Sequence, residues 1–327
     1  DRYEVAAEVL TIMLKTNYVE DRWRSVALGW CGYLHLLAGQ NSQALVNLTE
    51  AIQLAPEIVK YWVNRGWIYF CMNCFEEAIA DFTHAIEMIP DGGGVIFLRG
   101  FVHQRLKHYD EALADFTHAI ELMPNIAEAI RRRGQVYWEL KHYDEALEDF
   151  DRVIELMPDV AGAVGLRGQV HWELNHYDNA LKDFDSAIAL DRTLTNSLSI
   201  DRALLLCKLG RYAEAIETYD EGLNQNPNRS DLLYNFAIAV AHLKGIQEAR
   251  IYIDKARVAL LTIKNTDARA TAFYGLGGLE VLMGDNDQAL DYLQQAIMLD
   301  KEAKRWARHD IVWTALNNDR RYQNLIS

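Results

Sequence analysis

Proline is scarce in these 327 residues, with five in all, and cysteine is scarcer still at four. Four cysteines in a chain this long make no disulfide framework, which sets aside the small secreted scaffolds and favours a reducing compartment. Long hydrophobic runs are missing too. The longest apolar stretch, Val26 to Ala38, contains His35 and is too short to span a bilayer. Positive charge is the minority sign: 33 Lys and Arg stand against 47 Asp and Glu, for a formal net charge of −14. A broad nucleic-acid footprint needs clustered cations, so the balance argues against one. The opening DRYEVAAEVL is acidic and amphipathic, without the apolar core of a cleavable leader. The chain reads as cytoplasmic, with neither a membrane nor a nucleic acid as its expected partner.

Apolar residues are plentiful, at 50% of the chain, and they fall on a lattice. Ala44, Ala78, Ala112, Ala146, Ala180, Ala215, Ala249 and Ala289 recur at steps of 34, 34, 34, 34, 35, 34 and 40. Twelve residues before each stands another small residue: Gly32, Gly66, Gly100, Gly134, Gly168, Ala203, Ala237 and Gly277. Four residues after each comes a bulky one, from Leu48 and Phe82 through Phe116, Phe150, Phe184 and Tyr219 to Ile253 and Leu293. All five prolines, Pro56, Pro90, Pro124, Pro158 and Pro227, share one register position. Within each period, two stretches with apolar residues at three-to-four spacing predict two amphipathic helices. The small residues let the pair approach, the bulky residue fills the gap, and proline stops the second helix. A lone pair cannot bury both faces, so each must stack on its neighbours.

This lattice resembles the tetratricopeptide repeat, with Gly134, Tyr137, Ala146, Phe150 and Pro158 showing its pattern in step. The resemblance implies an all-α fold, a right-handed superhelical solenoid of helix-turn-helix units. Residues 1–24 are expected to hold the second helix of an earlier repeat and a connection, with Tyr3, Ala6, Leu10 and Met13 in register. Residues 25–194 would form five in-phase units and 195–303 three more divergent ones. Residues 304–327 would supply a more polar closing helix and a tail. A start in mid-unit without methionine marks the chain as an expected segment of a longer protein.

One pair of residue types recurs together. The family usually has an aliphatic residue at position seven, yet here Arg65, Arg99, Arg133 and Arg167 occupy it. In the same units, sixteen residues on, stand Asp81, Asp115, Asp149 and Asp183. Arg202 keeps the arginine but faces Thr218. Joint appearance predicts a structural contact between the two helices of a unit, and a guanidinium suits bidentate pairing with a part-buried carboxylate.

Signs of chemistry are weak. Cys71 and Cys74 have the spacing of a zinc pair, but no second pair follows, so no metal is expected. His108, His142 and His176 mark turns at equivalent repeat positions, too far apart to share an ion. Neither a phosphate loop nor a zincin motif nor a nucleophile elbow is present. No catalytic residue and no cofactor is expected, and the chain does not read as an enzyme.

The resemblance implies a concave groove lined by the first helix of each unit. Its residues would be Asn64, Trp67 and Phe70, then Phe97, Phe101 and Gln104, then Arg131, Gln135, Trp138 and Glu139, and finally Gln169, Trp172 and Glu173. Exposed aromatics there favour partner recognition. The acidic Glu139 and Glu173 favour a protein or peptide ligand with apolar and basic side chains. The family's clamp for chaperone tails is not matched: Arg131 and Gln135 come closest, but Leu166 occupies the next required place. The expected function is a protein-interaction scaffold. An alternative makes the solenoid the sensor arm of a larger signalling nucleotide hydrolase or protease, with other domains of its own chain as partners. RNA binding is disfavoured by the acidic balance, despite the local patch Arg131-Arg132-Arg133.

Overall fold

The computed structural model describes residues 2–14, 21–191 and 195–327. Expectations that fall on residues 1, 15–20 and 192–194, including parts of the first connection, lie outside the described residues. The fold is an all-α helical-repeat solenoid, with no strand among the described residues. It divides into two compact bodies, residues 1–158 and 159–327.

The first body opens with α1 (Arg2–Leu14), followed by four helix pairs. These are α2 (Asp21–Leu37) with α3 (Asn41–Leu54), and α4 (Val59–Cys71) with α5 (Phe75–Met88). Then come α6 (Gly93–Arg105) with α7 (Tyr109–Leu122), and α8 (Ala127–Glu139) with α9 (Tyr143–Leu156). In α1 it is Ala7 that is buried, whereas Tyr3 is exposed.

The second body begins with α10 (Ala161–Glu173) and α11 (Tyr177–Leu190), then α12 (Thr195–Lys208) and α13 (Tyr212–Gln225). It continues through α14 (Ser230–Lys244) and α15 (Ile246–Ile263) to α16 (Arg269–Met283) and α17 (Asn286–Leu299). The closing segment is α18 (Ala303–His309), a 3-10 turn (Ile311–Leu316) and α19 (Arg320–Ile326).

Packing follows the lattice. Ala44 and its seven equivalents are fully buried, and so are Leu48, Phe82, Phe116, Phe150, Phe184, Tyr219 and Leu293. The facing glycines are required by this approach. A Cβ on Gly66 would sit 2.8 Å from the Phe82 ring, and one on Gly168 would sit 2.9 Å from the Phe184 ring. Prolines end the second helices as expected. The residues before them, Ile89, Met123 and Met157 among others, have left helical geometry at φ near −134 to −142 and ψ near 79 to 83.

The eight turns inside the pairs share one device, a residue at positive φ. Gly39, Gly210, Gly245 and Gly284 supply it in four turns, and Asn73, Lys107, Lys141 and Asn175 in the other four. The left-handed residue lets the next amide turn back onto the helix. His142 N, for example, donates to the Tyr137 carbonyl at 2.8 Å, and Cys74 N to the Tyr69 carbonyl at 2.9 Å. Lysine pays a steric penalty in this conformation of about 1–2 kcal/mol, which glycine avoids. Lys141 is exposed at φ 62. We therefore expect Lys141→Gly to raise stability by about 0.5–1 kcal/mol and Lys141→Val to lower it. Urea midpoints of the two variants check both signs.

The closing segment differs from the polar helix expected over 304–327. It consists of two short helices around a 3-10 turn, and it carries the largest fully buried side chain described, Trp313. Trp313 stacks on Tyr322 with centroids 6.0 Å apart, and the Tyr322 hydroxyl donates to the Ala307 carbonyl at 2.9 Å. The segment therefore seals the array with aromatic bulk as well as polar surface.

Candidate partner-binding surface

Each of the four paired arginines makes a two-point bond to its aspartate. In the third, Arg133 Nε and Nη2 donate to Asp149 Oδ2 and Oδ1 at 2.9 and 2.7 Å. Arg65–Asp81, Arg99–Asp115 and Arg167–Asp183 repeat the geometry at 2.7–2.9 Å. The carboxylates are buried, whereas the guanidiniums keep one edge at the surface. Burial pushes the Asp149 carboxyl up, and the bonds from Arg133 pull it back down.

A third partner was missed in the sequence. The free Nη1 of Arg99 donates to Thr83 Oγ1 at 3.2 Å, and that of Arg133 to Thr117 Oγ1 at 3.3 Å, each in the preceding repeat. Thr49 stands to Arg65 in the same way at 3.5 Å. The signal that could have revealed it is the recurrence of Thr49, Thr83 and Thr117 at the period of the lattice. Arg202 departs as its neighbours suggest. It bonds Thr218 at 3.0 Å and pairs with Asp185 of the preceding repeat.

The expected groove residues of the first body lie on α4, α6 and α8, and their aromatics are half-buried. Trp67 stacks on Phe70 at 5.1 Å, Phe70 meets Phe101 of the next repeat at 5.1 Å, and Phe101 stacks on Phe97 at 6.4 Å. The expectation of freely exposed rings is corrected here. Burying ring area against the next repeat is favourable, so one face of each ring serves the solenoid. Asn64 and Arg131 are half-buried and Glu139 is exposed. Trp138, also half-buried, belongs to neither stack.

The amides of Gln104 and Gln135 each carry a buried side-chain carbonyl with no hydrogen-bond partner. The basic patch is neutralised locally. Arg131 and Arg132 both bond Glu128, at 2.6 and 2.8 Å, while Arg133 is held by Asp149. Arg132 also lies over the Phe101 ring at 4.4 Å.

In the second body the three expected residues are engaged within the fold. Gln169 donates to Asp201 at 3.4 Å, Trp172 leans on Phe184 at 6.2 Å, and Glu173 forms an ion pair with Arg305 of α18. Glu173 is therefore not a free acidic flank. Of the cysteines, Cys31 and Cys207 are buried and Cys71 is exposed, all unbridged. Burial pushes the Cys207 thiol up to about 12, which makes it unreactive at neutral pH. His108, His142 and His176 are exposed at the N-caps of α7, α9 and α11. Among the described residues, no helix is long and apolar enough to cross a membrane.

Stacked helix pairs with small-residue seams and a lined first-helix surface define a helical-repeat scaffold. The chain belongs to the tetratricopeptide-repeat family. Models described as tetratricopeptide repeat match residues 59–91, 95–159, 131–195, 200–260 and 270–302. A model described as anaphase-promoting complex subunit 5 matches residues 16–59. No curated protein matches the chain.

Among solved structures, a tetratricopeptide repeat protein from Parabacteroides merdae is similar with a TM-score of 0.61 at 17% identity. That match covers 79% of this chain and 98% of the other. The Pseudomonas aeruginosa protein pilF is similar with a TM-score of 0.55 at 17% identity, over 65% of this chain and 96% of the other. At these identities the likeness shows the fold. Repeats of this class are in general non-catalytic scaffolds for protein interactions.

Proposed function

We propose that the first-helix surface of the first body, centred on α6 and α8, binds a peptide segment of a protein partner carrying apolar and basic side chains. The observation that carries this reading is the combination at the end of α8. Trp138 lies outside the aromatic stacks, Gln135 holds an unpartnered carbonyl one turn earlier, and Glu139 is an exposed carboxylate. A peptide backbone offers N–H donors to such amides, and tryptophan anchors commonly dominate interfaces of this kind. Asn64, Phe70, Phe101 and Gln104 extend the surface along α4 and α6. The small cysteine count, four in 327 residues, favours a reducing, cytoplasmic setting for the interaction.

Selection of a random peptide library on the immobilised protein tests the reading. Enriched sequences are expected to pair apolar with basic residues and to lose at least tenfold in affinity for Trp138→Ala, about 1.4 kcal/mol or more. Circular dichroism of that variant should be unchanged. Enriched peptides that bind Trp138→Ala as tightly as the parent would overturn the assignment.

A further inference from the structure

The second body holds a half-open cavity of about 300 Å³ that the proposed peptide surface does not use. Its wall is aromatic: Trp172 of α10, Tyr234 of α14, Tyr274 of α16 and Trp306 of α18 all line it. The rings are set edge against face. Tyr274 meets Trp306 at 5.4 Å and 80°, and Tyr234 meets Tyr274 at 6.3 Å and 62°.

Two carboxylates line the cavity, Asp231 and Asp310, and Asp310 is the one bonded to the aromatic wall. Its Oδ2 accepts from the Tyr234 hydroxyl at 2.8 Å and from the Tyr274 hydroxyl at 2.9 Å, while Oδ1 accepts from Val312 N at 3.0 Å. None of the lining residues is a lysine or arginine, and no ion pair involves Asp310 among the described residues. Asp231, the other acid on the wall, is already paired with Arg229 at 2.9 Å. A cation-forming group that acts on Asp310 through its charge is His242, which stacks on Tyr212. Burial pushes the Asp310 carboxyl up, and its three hydrogen bonds pull in the opposite direction.

A carboxylate held by donors inside an aromatic wall lacks only a counter-charge. Strongly hydrated cations such as a bare ammonium or a metal ion lose too much solvation in such a site. Alkylated ammonium groups spread their charge over methyls that rest against ring faces, where the quadrupole attracts them. Phenols that donate to a carboxylate gain ring electron density, which strengthens that attraction. Glu173 and Arg305, the chain neighbours of Trp172 and Trp306, form an ion pair that ties α18 to α10.

We propose that this cavity binds a trimethylammonium-type group, with its charge facing Asp310 and its methyls against Trp172, Tyr234, Tyr274 and Trp306. Such a group arrives on a free small molecule or on the trimethylated lysine of a peptide. Titration calorimetry with choline, with a trimethyllysine peptide and with 3,3-dimethylbutanol, the uncharged carbon analogue of choline, separates these cases. At least one cationic probe is expected to saturate and to bind tenfold or more tighter than the uncharged analogue, and which one does so identifies the source. Asp310→Asn should erase the preference for charge. Trp306→Leu, which keeps an apolar wall but removes a π face, should weaken the cation tenfold and leave the analogue unchanged. Equal binding of the uncharged analogue, a charge preference that survives both variants, or no saturation by either cation would each overturn the proposal.

Discussion

Arg133→Ala is expected to lower folding stability by about 3 kcal/mol, the lower end of what breaking a buried ion pair costs. The low end applies because Arg133 keeps 21% of its side chain in water whereas Asp149 keeps 7%. What remains after the substitution is a buried carboxylate that has lost both of its guanidinium bonds. Asp149→Ala should cost less, since the arginine left behind can swing its exposed edge further into solvent. Combining the two should add little to the first loss. A double-mutant cycle by urea unfolding would then report a coupling well above the error of additivity, whereas strict additivity would show that the pair contributes nothing as a pair. Thr117→Val tests the link to the preceding repeat. A hydrogen bond from a charged donor is worth about 1.5–3 kcal/mol; this one is long at 3.3 Å, so the low end is expected, and that loss should vanish once Arg133 is already alanine.

Trp313→Ala is expected to destabilise the second body by about 3–5 kcal/mol, the range for emptying a buried tryptophan site. The ring is fully buried, stacks on Tyr322, and approaches the helix α16 at Gly277, where an added Cβ would stand 3.0 Å from it. Stability in a repeat array is a sum over neighbours, so the damage should begin next to the closing segment. Hydrogen exchange should rise first in α16 to α19 and spare α10 and α11. An exchange profile that rises uniformly, or a melting temperature within a degree of the parent, would count against the sealing role. Trp313 is not a lining residue of the cavity, so binding at Asp310 should fail only as the segment undocks.

The lattice made the helix pairs readable because its requirements recur along eight units, the seam alanine in all eight, the facing glycine in six and the closing proline in five. Glycine meets phenylalanine, alanine sits in the seam, and proline ends the unit, so chance coincidence at one position is outvoted by the others. The Arg–Asp pairing was readable for the same reason, as two residue types that come and go together. Whatever occurs once has no such voice. Trp306, Trp313 and Tyr322 fall outside the period, and their segment looked merely polar although it carries the bulk that closes the core. Trp172 was readable as a first-helix aromatic. Nothing local says that Asp310, far along the chain, is hydrogen-bonded to Tyr234 and Tyr274 on the same cavity wall. The aromatics of α4 and α6 were placed on the right helices, but their half-burial depends on the neighbouring repeat, which a pattern within one unit does not describe.

The bond from each arginine to the preceding repeat's threonine has a consequence for how such an array changes length. Arg65, Arg99 and Arg133 are interchangeable donors of the same contact, and Thr49, Thr83 and Thr117 are interchangeable acceptors. Excising residues 93–126 would bring Arg133 opposite Thr83 with Asp149 still at its side, so the seam closes without a new interaction being invented. Inserting a copy of the same block would do likewise. Recombination between equivalent codons therefore yields shorter and longer arrays whose joints are already matched, and selection can vary the extent of the surface without first repairing the fold.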